Sequence, residues 1–361
     1  MIHPLLVRYA DLLVGYCTEV QPGEKVMLLI DTGALPMARA VYRAVLSAGA
    51  EPFLRLSYPE QAADLLELAS ADLISSPADL QLAEMKAVDA YIRVSATENS
   101  RFLTGMDGAK QTRLEKRLYE TNRERVERTR WVGTLYPTAA SAQEAGMSTD
   151  AYERFVFGAM FLYDNDPAER WRELGRRQQE LVERLERADE VRIVGPNTDL
   201  RMKVGGRKWA NSDGKRNMPS GEVFTGPIED SAEGVIRFTV PSFIRGGLVE
   251  DVTLRFERGQ VVEARAVRGQ EILDAQLAAD PGARFLGELG IGTNPNITVP
   301  TMKTLFDEKI LGTVHLALGA SYPETGGVNK SSIHWDLIAE LRQGGELMLD
   351  GVVVQRDGVF L

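Results

Sequence analysis

Two of the three histidines in this chain lie close together near the C-terminus and could bind a metal ion. His315 lies within an apolar run, and His334 opens the tripeptide His334-Trp335-Asp336. Imidazole is the commonest metal ligand and the commonest general base in proteins. In an extended segment His334 and Asp336 point to the same face, because strand side chains alternate. The spacing therefore predicts a metal site that takes a nitrogen and an oxygen donor from one strand.

Two glutamates upstream lie in surroundings that are unusual for a charged side chain. Glu222 follows Gly221 in a segment enclosed by two prolines, and Glu288 lies within Gly287-Glu288-Leu289-Gly290. Glutamates are rarely buried unless they are paired or bound to metal. Both are therefore candidate ligands, and Tyr322, just before Pro323, is a further candidate for the same site.

Each of these residues also has a purely structural interpretation. His315 taken alone could be a hydrogen-bonded core histidine, and Glu222 could pair with Arg216. The other candidates could have local roles, with Tyr322 packing in a turn, His334 on the surface and Asp336 capping a helix that begins at Leu337. Only the residues together favour a metal site.

The first half of the chain alternates strand and helix patterns. Short apolar runs alternate with segments that have helical spacing of apolar residues, which predicts a doubly wound, mostly parallel sheet. The predicted helices are 4–19, 35–48, 60–71, 108–130 and 167–188, and the predicted strands are 25–30, 52–56, 88–94 and 131–136. In the last helix, Asp166 is the expected N-cap.

The pattern changes after residue 187 to short strands joined by glycine-rich turns. Strands are expected at 192–194, 200–204, 235–240, 252–256 and 261–267. This pattern predicts an α+β domain rich in antiparallel strands. We therefore predict an α/β protein with an N-terminal domain of residues 1–187 and a C-terminal, metal-binding catalytic domain of residues 188–361.

Composition limits the function classes and the compartment. The net charge of −10 argues against a nucleic-acid partner, which would require a basic surface. No apolar stretch approaches the roughly 20 residues of a membrane span. Cys17 is the only cysteine, so an intrachain disulfide is impossible and a reducing compartment is favoured. We expect a cytoplasmic protein.

Several long segments resemble the aminopeptidase T family of metallo-aminopeptidases, also called thermophilic metalloproteases. They are QPGEKVMLLID, TLYPTAASAQEAGMSTDAYERFVFGAMFLYDND, NMPSGEVFTGP, GELGIGTNPNI, LFDEKILGTVHLALGASYPETGG and SSIHWDLI. The resemblance extends through most of the chain. It implies a two-domain enzyme, usually a dimer, that removes N-terminal residues from peptides with water activated by two divalent metal ions.

The resemblance also implies a set of site residues. The metal ligands would be Glu222, Glu288, His315, His334 and Asp336, with Glu288 as the bridge, and the metals Zn²⁺ or Co²⁺, or else Mn²⁺ or Mg²⁺. Tyr322 would assist catalysis or complete the metal shell. If Glu222 binds its ion only loosely, it could also carry the proton to the leaving amine. The chain departs from the archetypal members in a shorter segment between Tyr322 and His334 and in His-Trp-Asp instead of His-Val-Asp, which affects the expected substrate range.

Two other functions remain open from the sequence. His315, His334 and Asp336 alone would form the two-histidine, one-carboxylate set of a mononuclear non-haem iron oxygenase, as in ring-opening dioxygenases of a related fold. Glu222 and Glu288 favour the two-metal site, since the iron site needs neither. A metal-stabilised binding protein without activity is the third alternative.

Overall fold

A computed structural model of the chain describes residues 2–58, 60–244 and 246–361. The chain divides into two compact units, Met1–Trp171 with Gly214–Pro219, and Arg172–Asp213 with Ser220–Leu361. The predicted fold class, an α/β protein with a parallel sheet followed by antiparallel strands, is confirmed. The predicted domain boundary at residue 187 stays a prediction. The two compact units divide at a different position, after Trp171.

The helices are numbered in chain order. They are α1 (Pro4–Asp11), α2 (Leu35–Ser47), α3 (Gln61–Leu68), α4 (Ala71–Ser75), α5 (Asp79–Lys86), α6 (Gly108–Arg128), α7 (Ala139–Glu144), α8 (Thr149–Ala159), α9 (Pro167–Leu185), α10 (Gln270–Leu277) and α11 (Thr304–Asp307). A π-helical turn extends α1, and short 3₁₀ turns lie at Thr32–Ala34, Pro281–Arg284 and Pro323–Thr325.

The strands are short, and most of them belong to the second unit. They are β1 (Lys25–Asp31), β2 (Glu51–Ser57), β3 (Ala90–Ser95), β4 (Arg130–Leu135), β5 (Glu190–Gly195), β6 (Thr198–Lys203), β7 (Ala210–Ser212), β8 (Asn217–Met218), β9 (Glu222–Thr225), β10 (Glu233–Phe238), β11 (Ser242–Ile244), β12 (Gly247–Glu257), β13 (Gln260–Arg268), β14 (Leu286–Gly292), β15 (Thr313–Gly319), β16 (His334–Glu340), β17 (Glu346–Leu349), β18 (Val352–Arg356) and β19 (Val359–Phe360).

The first unit contains a parallel sheet of order β2-β1-β3-β4-β8. The predicted helices and strands of this half agree with the structure to within a few residues. Val26, Leu28 and Ile30 of the interior strand β1 are fully buried, as its continuous apolar sequence predicts. Strand β2 lies at the edge of the sheet and exposes Leu54 and Leu56.

Helix α9 begins with the predicted cap. Asp166 accepts a hydrogen bond from the backbone N–H of Glu169 at 2.9 Å, and Pro167 occupies the first turn, where its missing N–H is no loss. The helix ends at Leu185, three residues before its predicted end.

The second unit contains two antiparallel sheets. One has the order β11-β12-β10-β6-β5-β17-β18-β19, with β13 paired to β12. The other, which we call the site sheet, has the order β16-β15-β14-β9-β7. Buried apolar side chains of both sheets form one core cluster that includes Leu254, Leu289 and Leu316. In the described residues, no helix is long and apolar enough to cross a membrane.

We predict that truncating the core of β1 destabilises the fold much more than truncating an exposed leucine of the same unit. Leu28 is fully buried, so Leu28→Ala removes packing and leaves a cavity, at a cost of about 2–5 kcal/mol in the free energy of unfolding. Leu80 in α5 is 67% exposed, so Leu80→Ala should change that free energy by less than about 0.5 kcal/mol. Urea unfolding of both variants measures the difference, and equal losses would contradict the assignment of β1 to the core.

Candidate metal centre

Four neighbouring strands of the site sheet bring the five predicted ligands together. Glu222 begins β9, Glu288 lies in β14 and His315 in β15, and β16 carries His334 and Asp336. The sequence pattern had not predicted β9, β14, β15 and β16 as a sheet. It is the pairing of these strands that joins residues separated by more than a hundred positions in the chain.

The strand register places all five candidate ligands on one face of the site sheet. Directly opposite residues of antiparallel strands share a face, and residues two apart along a strand also share it. The pairs on this face are Gly292 with Glu222, Gly290 with His315, Glu288 with Ala317, Ala317 with Asp336, and Gly319 with His334. The opposite face packs into the core through residues such as Trp335, whose indole N–H donates to Ser242.

Small residues between the ligands leave room for the imidazole of His315. A Cβ added to Gly290 would lie 2.0 Å from Nε2 of His315, so only glycine fits opposite this histidine. The glycines of Gly-Glu-Leu-Gly-Ile-Gly thus permit close packing at this face of the sheet.

The polar atoms of the five side chains converge within short distances. Nε2 of His315 lies 3.2 Å from Oε1 of Glu288 and 3.5 Å from Oε2 of Glu222. Nε2 of His334 lies 3.4 Å from Oε2 of Glu288 and 3.6 Å from Oδ1 of Asp336. Each histidine therefore faces one oxygen of Glu288, and Glu288 lies between them.

These residues form two donor sets that share Glu288. One set is Glu222, Glu288 and His315, and the other is Glu288, His334 and Asp336, with the donor atoms of each set within 4.8 Å of one another. Each set offers one imidazole nitrogen and two carboxylates, a combination that suits divalent metals such as zinc. In the described part of the chain, no such set contains both histidines. The mononuclear iron site, which needs two histidines on one ion, is therefore not favoured.

One of two buried polar atoms without a hydrogen bond supports a metal centre at this position. Oε2 of Glu222 and Nδ1 of His315 are buried without a hydrogen bond. Such atoms are rare in folded proteins because they lose their contacts with water and gain nothing in return. Oε2 of Glu222 faces the first donor set, so a metal ion there would satisfy it. The residues present therefore fit a metal centre.

His334 is oriented by the backbone. Its Nδ1 lies 2.8 Å from the carbonyl oxygen of Ala320, which makes Nδ1 the donor and leaves Nε2 directed at Glu288 and Asp336. A hydrogen bond of this kind fixes the tautomer and the ring orientation of a metal-binding histidine. The helix-capping alternative for Asp336 is thus excluded, since this residue lies within a strand rather than at a helix start.

The charges of the site depend strongly on one another. Burial would raise the pKa of Glu288, but hydrogen bonds from His315 and His334 lower it to about 2. Burial would lower the pKa of both histidines, but the carboxylates raise it to about 9 for His315 and about 10 for His334. Protonated imidazoles thus balance Glu288 in the chain alone, and a bound metal would replace their protons.

The remaining carboxyls are less easily ionised. Burial raises the pKa of Glu222 to about 7, and burial together with the charge of Glu308 raises the pKa of Asp336 to about 6. This is the expected result when several carboxyls share a buried site with too little positive charge.

Tyr322 lies beside the donor sets. Its ring packs edge-on against the imidazole of His334, with centroids 5.1 Å apart, and against Phe224 at 5.5 Å. The tyrosine side chain remains partly exposed. It therefore lies on the open side of the centre rather than in the core.

Two charged residues of the centre were not predicted from the sequence. Lys309 is fully buried, with Nζ 3.4 Å from Oε1 of Glu222 and in contact with the carboxylate of Glu308. Glu308 forms a third acidic set with His315 and Asp336. The run Asp307-Glu308-Lys309 is typical of a solvated turn, so only its position in the fold reveals that it faces the site.

Comparison with known proteins shows what the whole chain is similar to. The family model of the thermophilic metalloproteases (M29) matches residues 3–360. Aminopeptidase T of Thermus thermophilus is 30% identical over 92% of this chain and 91% of its own length. The solved structure of wild-type AmpT from Thermus thermophilus aligns with a TM-score of 0.84 and 26% identity, covering 99% of each chain.

A dioxygenase shares the fold more distantly. The structure of 2,5-dihydroxypyridine dioxygenase from Pseudomonas putida KT2440 aligns with a TM-score of 0.57 and 17% identity, covering 99% of this chain and 96% of that one. At this identity the likeness concerns the fold alone.

The family match extends over nearly the whole chain, and the relatives that resemble it at both sequence and structure level are aminopeptidases. The family prediction, and with it the prediction of a metal-dependent aminopeptidase, is confirmed. The chain belongs to the family of thermophilic metalloproteases (M29).

Proposed function

We propose that this chain removes N-terminal residues from peptides at a centre of two divalent metal ions. The observation that carries the proposal is the pair of donor sets that share Glu288. A single carboxylate with one histidine facing each of its oxygens suits two ions held side by side.

The positions of the ligands support a division between the two proposed ions. Glu222 and His315 would hold one ion, His334 and Asp336 would hold the other, and Glu288 would bridge them. Zn²⁺ or Co²⁺ suits the mixed nitrogen and oxygen donors best, and Mn²⁺ or Mg²⁺ would also be accepted. When bound, the two ions would lower the pKa of a water molecule and polarise the carbonyl of the peptide bond.

Tyr322 and Glu222 would serve the chemistry at this centre. The partial burial of Tyr322 and the surrounding carboxylates raise its pKa, so its hydroxyl keeps its proton and can donate to the oxygen on which negative charge develops. If Glu222 binds its ion only loosely through Oε2, this oxygen would receive the proton of the attacking water and deliver it to the leaving amine as the C–N bond breaks. Proton and charge are then balanced without another reactant.

The substrates proposed are peptides with a free N-terminus. The aminopeptidase names of the relatives support this class, and the acidic character of the chain suits a cationic terminal amine.

We also propose a homodimer and a cytoplasmic location. The exposed apolar side chains Phe53, Leu54 and Leu56 on the edge strand β2 support a second copy as partner, because exposed apolar edges favour pairing.

The single, buried Cys17 supports a reducing compartment, which cell fractionation would test.

Removing the metal tests the proposed function directly. We expect exhaustive dialysis against a chelator to abolish cleavage of amino-acid p-nitroanilides, and Zn²⁺, Co²⁺ or Mn²⁺ to restore it. Elemental analysis should then find two ions per chain. Peptides with an acetylated N-terminus serve as the control for the exopeptidase reaction and should stay intact. Activity that survives chelation, or one iron per chain with oxygen consumption, would refute the proposal.

Two substitutions separate metal binding from turnover. Glu288→Gln removes the charge of the shared carboxylate, so metal occupancy should fall at both positions. Tyr322→Phe removes only a hydroxyl, so the metal content should stay at the wild-type level while kcat falls about a hundred- to thousandfold. Elemental analysis and steady-state kinetics measure both effects. Equal metal loss in the two variants would instead make Tyr322 a metal ligand.

The dimer is tested by charging the edge strand. Leu54→Glu places a carboxylate in the proposed interface and should shift the molecular mass in analytical ultracentrifugation from dimer to monomer. Val267→Glu, at a position 79% exposed in β13 of the other unit, is the matched control and should leave the mass unchanged. A wild-type monomer at micromolar concentration would rule out the dimer.

A further inference from the structure

Lys309 is a fully buried lysine inside a carboxylate site, and a metal centre alone does not explain it. Its Nζ lies 3.4 Å from Oε1 of Glu222 and contacts the carboxylate of Glu308. A buried ammonium group is costly unless carboxylates compensate its charge, and two of them do so here. Burial would lower the pKa of Lys309, but Glu222 and Glu308 hold it above its usual value, so the charge is retained.

The backbone holds Lys309 close to Glu222. The carbonyl oxygen of Lys309 accepts a hydrogen bond from the N–H of Asn294 at 3.0 Å, and its own N–H donates to Phe306 at 3.0 Å. A Cβ added to Gly292 would lie 2.9 Å from the carbonyl carbon of Lys309, so this segment packs directly on β14. Because Gly292 pairs with Glu222, the ammonium group is fixed beside that carboxylate.

The two oxygens of Glu222 have different surroundings. Oε1 faces Lys309, whereas Oε2 faces Nε2 of His315 and has no hydrogen bond. A carboxylate that is free on both sides can bind a metal through one oxygen or two. With Oε1 held by an ammonium group, Glu222 can offer only Oε2.

Glu308 is a potential competitor for metal. One of its oxygens lies within 4.8 Å of donor atoms of both His315 and Asp336, one from each proposed ion. The same ammonium group of Lys309 contacts this carboxylate. Lys309 therefore contacts both Glu222 and Glu308. The strand register alone does not determine which oxygens of these two carboxylates bind metal.

We propose that Lys309 is a positioning residue that determines which carboxylate oxygens bind metal, by holding Oε1 of Glu222 and the carboxylate of Glu308. This inference rests on the proposed two-metal centre. It assigns Lys309 a role in the geometry of the ions rather than in the reaction itself. A buried ion pair that only stabilises the fold would have no effect on the coordination of the metals.

Cobalt(II) binding tests the role of Lys309, since its visible absorption reports the number and type of ligands. Lys309→Met keeps the length and apolar stem of the side chain but removes the charge. We expect the variant to bind one of the two Co²⁺ ions at least about tenfold more weakly, the effect usual for residues that orient metal ligands, and to show a changed spectrum. Calorimetric titration and absorption spectroscopy of the purified protein measure both.

A double variant shows whether Lys309 affects metal binding through Glu222 or only by neutralising the charge of Glu308. Glu308→Gln alone should leave Co²⁺ affinity close to that of the wild type. If Lys309 acts through Glu222, the double variant Lys309→Met/Glu308→Gln stays as defective as Lys309→Met. Full recovery of affinity and spectrum in the double variant would assign the whole effect to Glu308 and overturn the role proposed for Lys309 at Glu222.

Lys309→Arg keeps the positive charge. It is a second variant with which the proposal can be tested if Lys309→Met fails to fold. We expect it to bind two Co²⁺ ions with affinity closer to the wild type. Metal loss in a folded Arg variant equal to that in the Met variant would overturn the proposal, as would a folded Met variant with unchanged Co²⁺ binding. A wild-type protein that binds no Co²⁺ would instead refute the metal centre itself.

Discussion

The repulsion among buried carboxylates is the constraint on which the second unit of this protein depends. Glu222, Glu288 and Asp336 converge on one face of a buried sheet, with Glu308 at its margin. Negative charges in a low-dielectric environment cannot remain together without cations. Two imidazoles and the ammonium group of Lys309 supply positive charge within the chain. Two divalent ions would supply four charges against the three ligand carboxylates and leave a centre with residual positive charge that can polarise a substrate.

The site sheet makes this concentration of charge possible because its two faces differ completely. One face carries leucine, isoleucine, valine and tryptophan side chains into the core, and the burial of these side chains fixes the register. The other face alternates ligands with glycine and alanine, so that Gly290 lies against His315 and Gly292 against the segment of Lys309. A one-residue slip would place the carboxylates in the core, which explains why a charged site can rest on an apolar sheet.

The sequence was sufficient to predict the helices and strands that have a regular apolar pattern. It was insufficient for residues whose burial or exposure depends on contacts between distant parts of the chain. The apolar run of β1 and the cap of α9 follow from local physics and agree with the structure. The five candidate ligands followed from motifs that resemble a known family, and the strand register brings them to one face. The burial of Lys309 could not be predicted, because its segment packs against Gly292, which lies seventeen positions earlier in the chain, in strand β14. The exposure of Leu54 could not be predicted either, because strand order rather than composition places β2 at an edge.

The likeness to a dioxygenase shows that the fold by itself does not determine the chemistry. An iron oxygenase of the two-histidine type needs both imidazoles on one ion. In this chain Glu288 lies between His315 and His334, with one of its oxygens facing each ring, and Glu222 joins His315 from a third strand. Two histidines separated in this way would each bind a different ion of the proposed two-metal centre. The position of one glutamate in β14 thus favours hydrolysis with paired metals over oxygen chemistry with one.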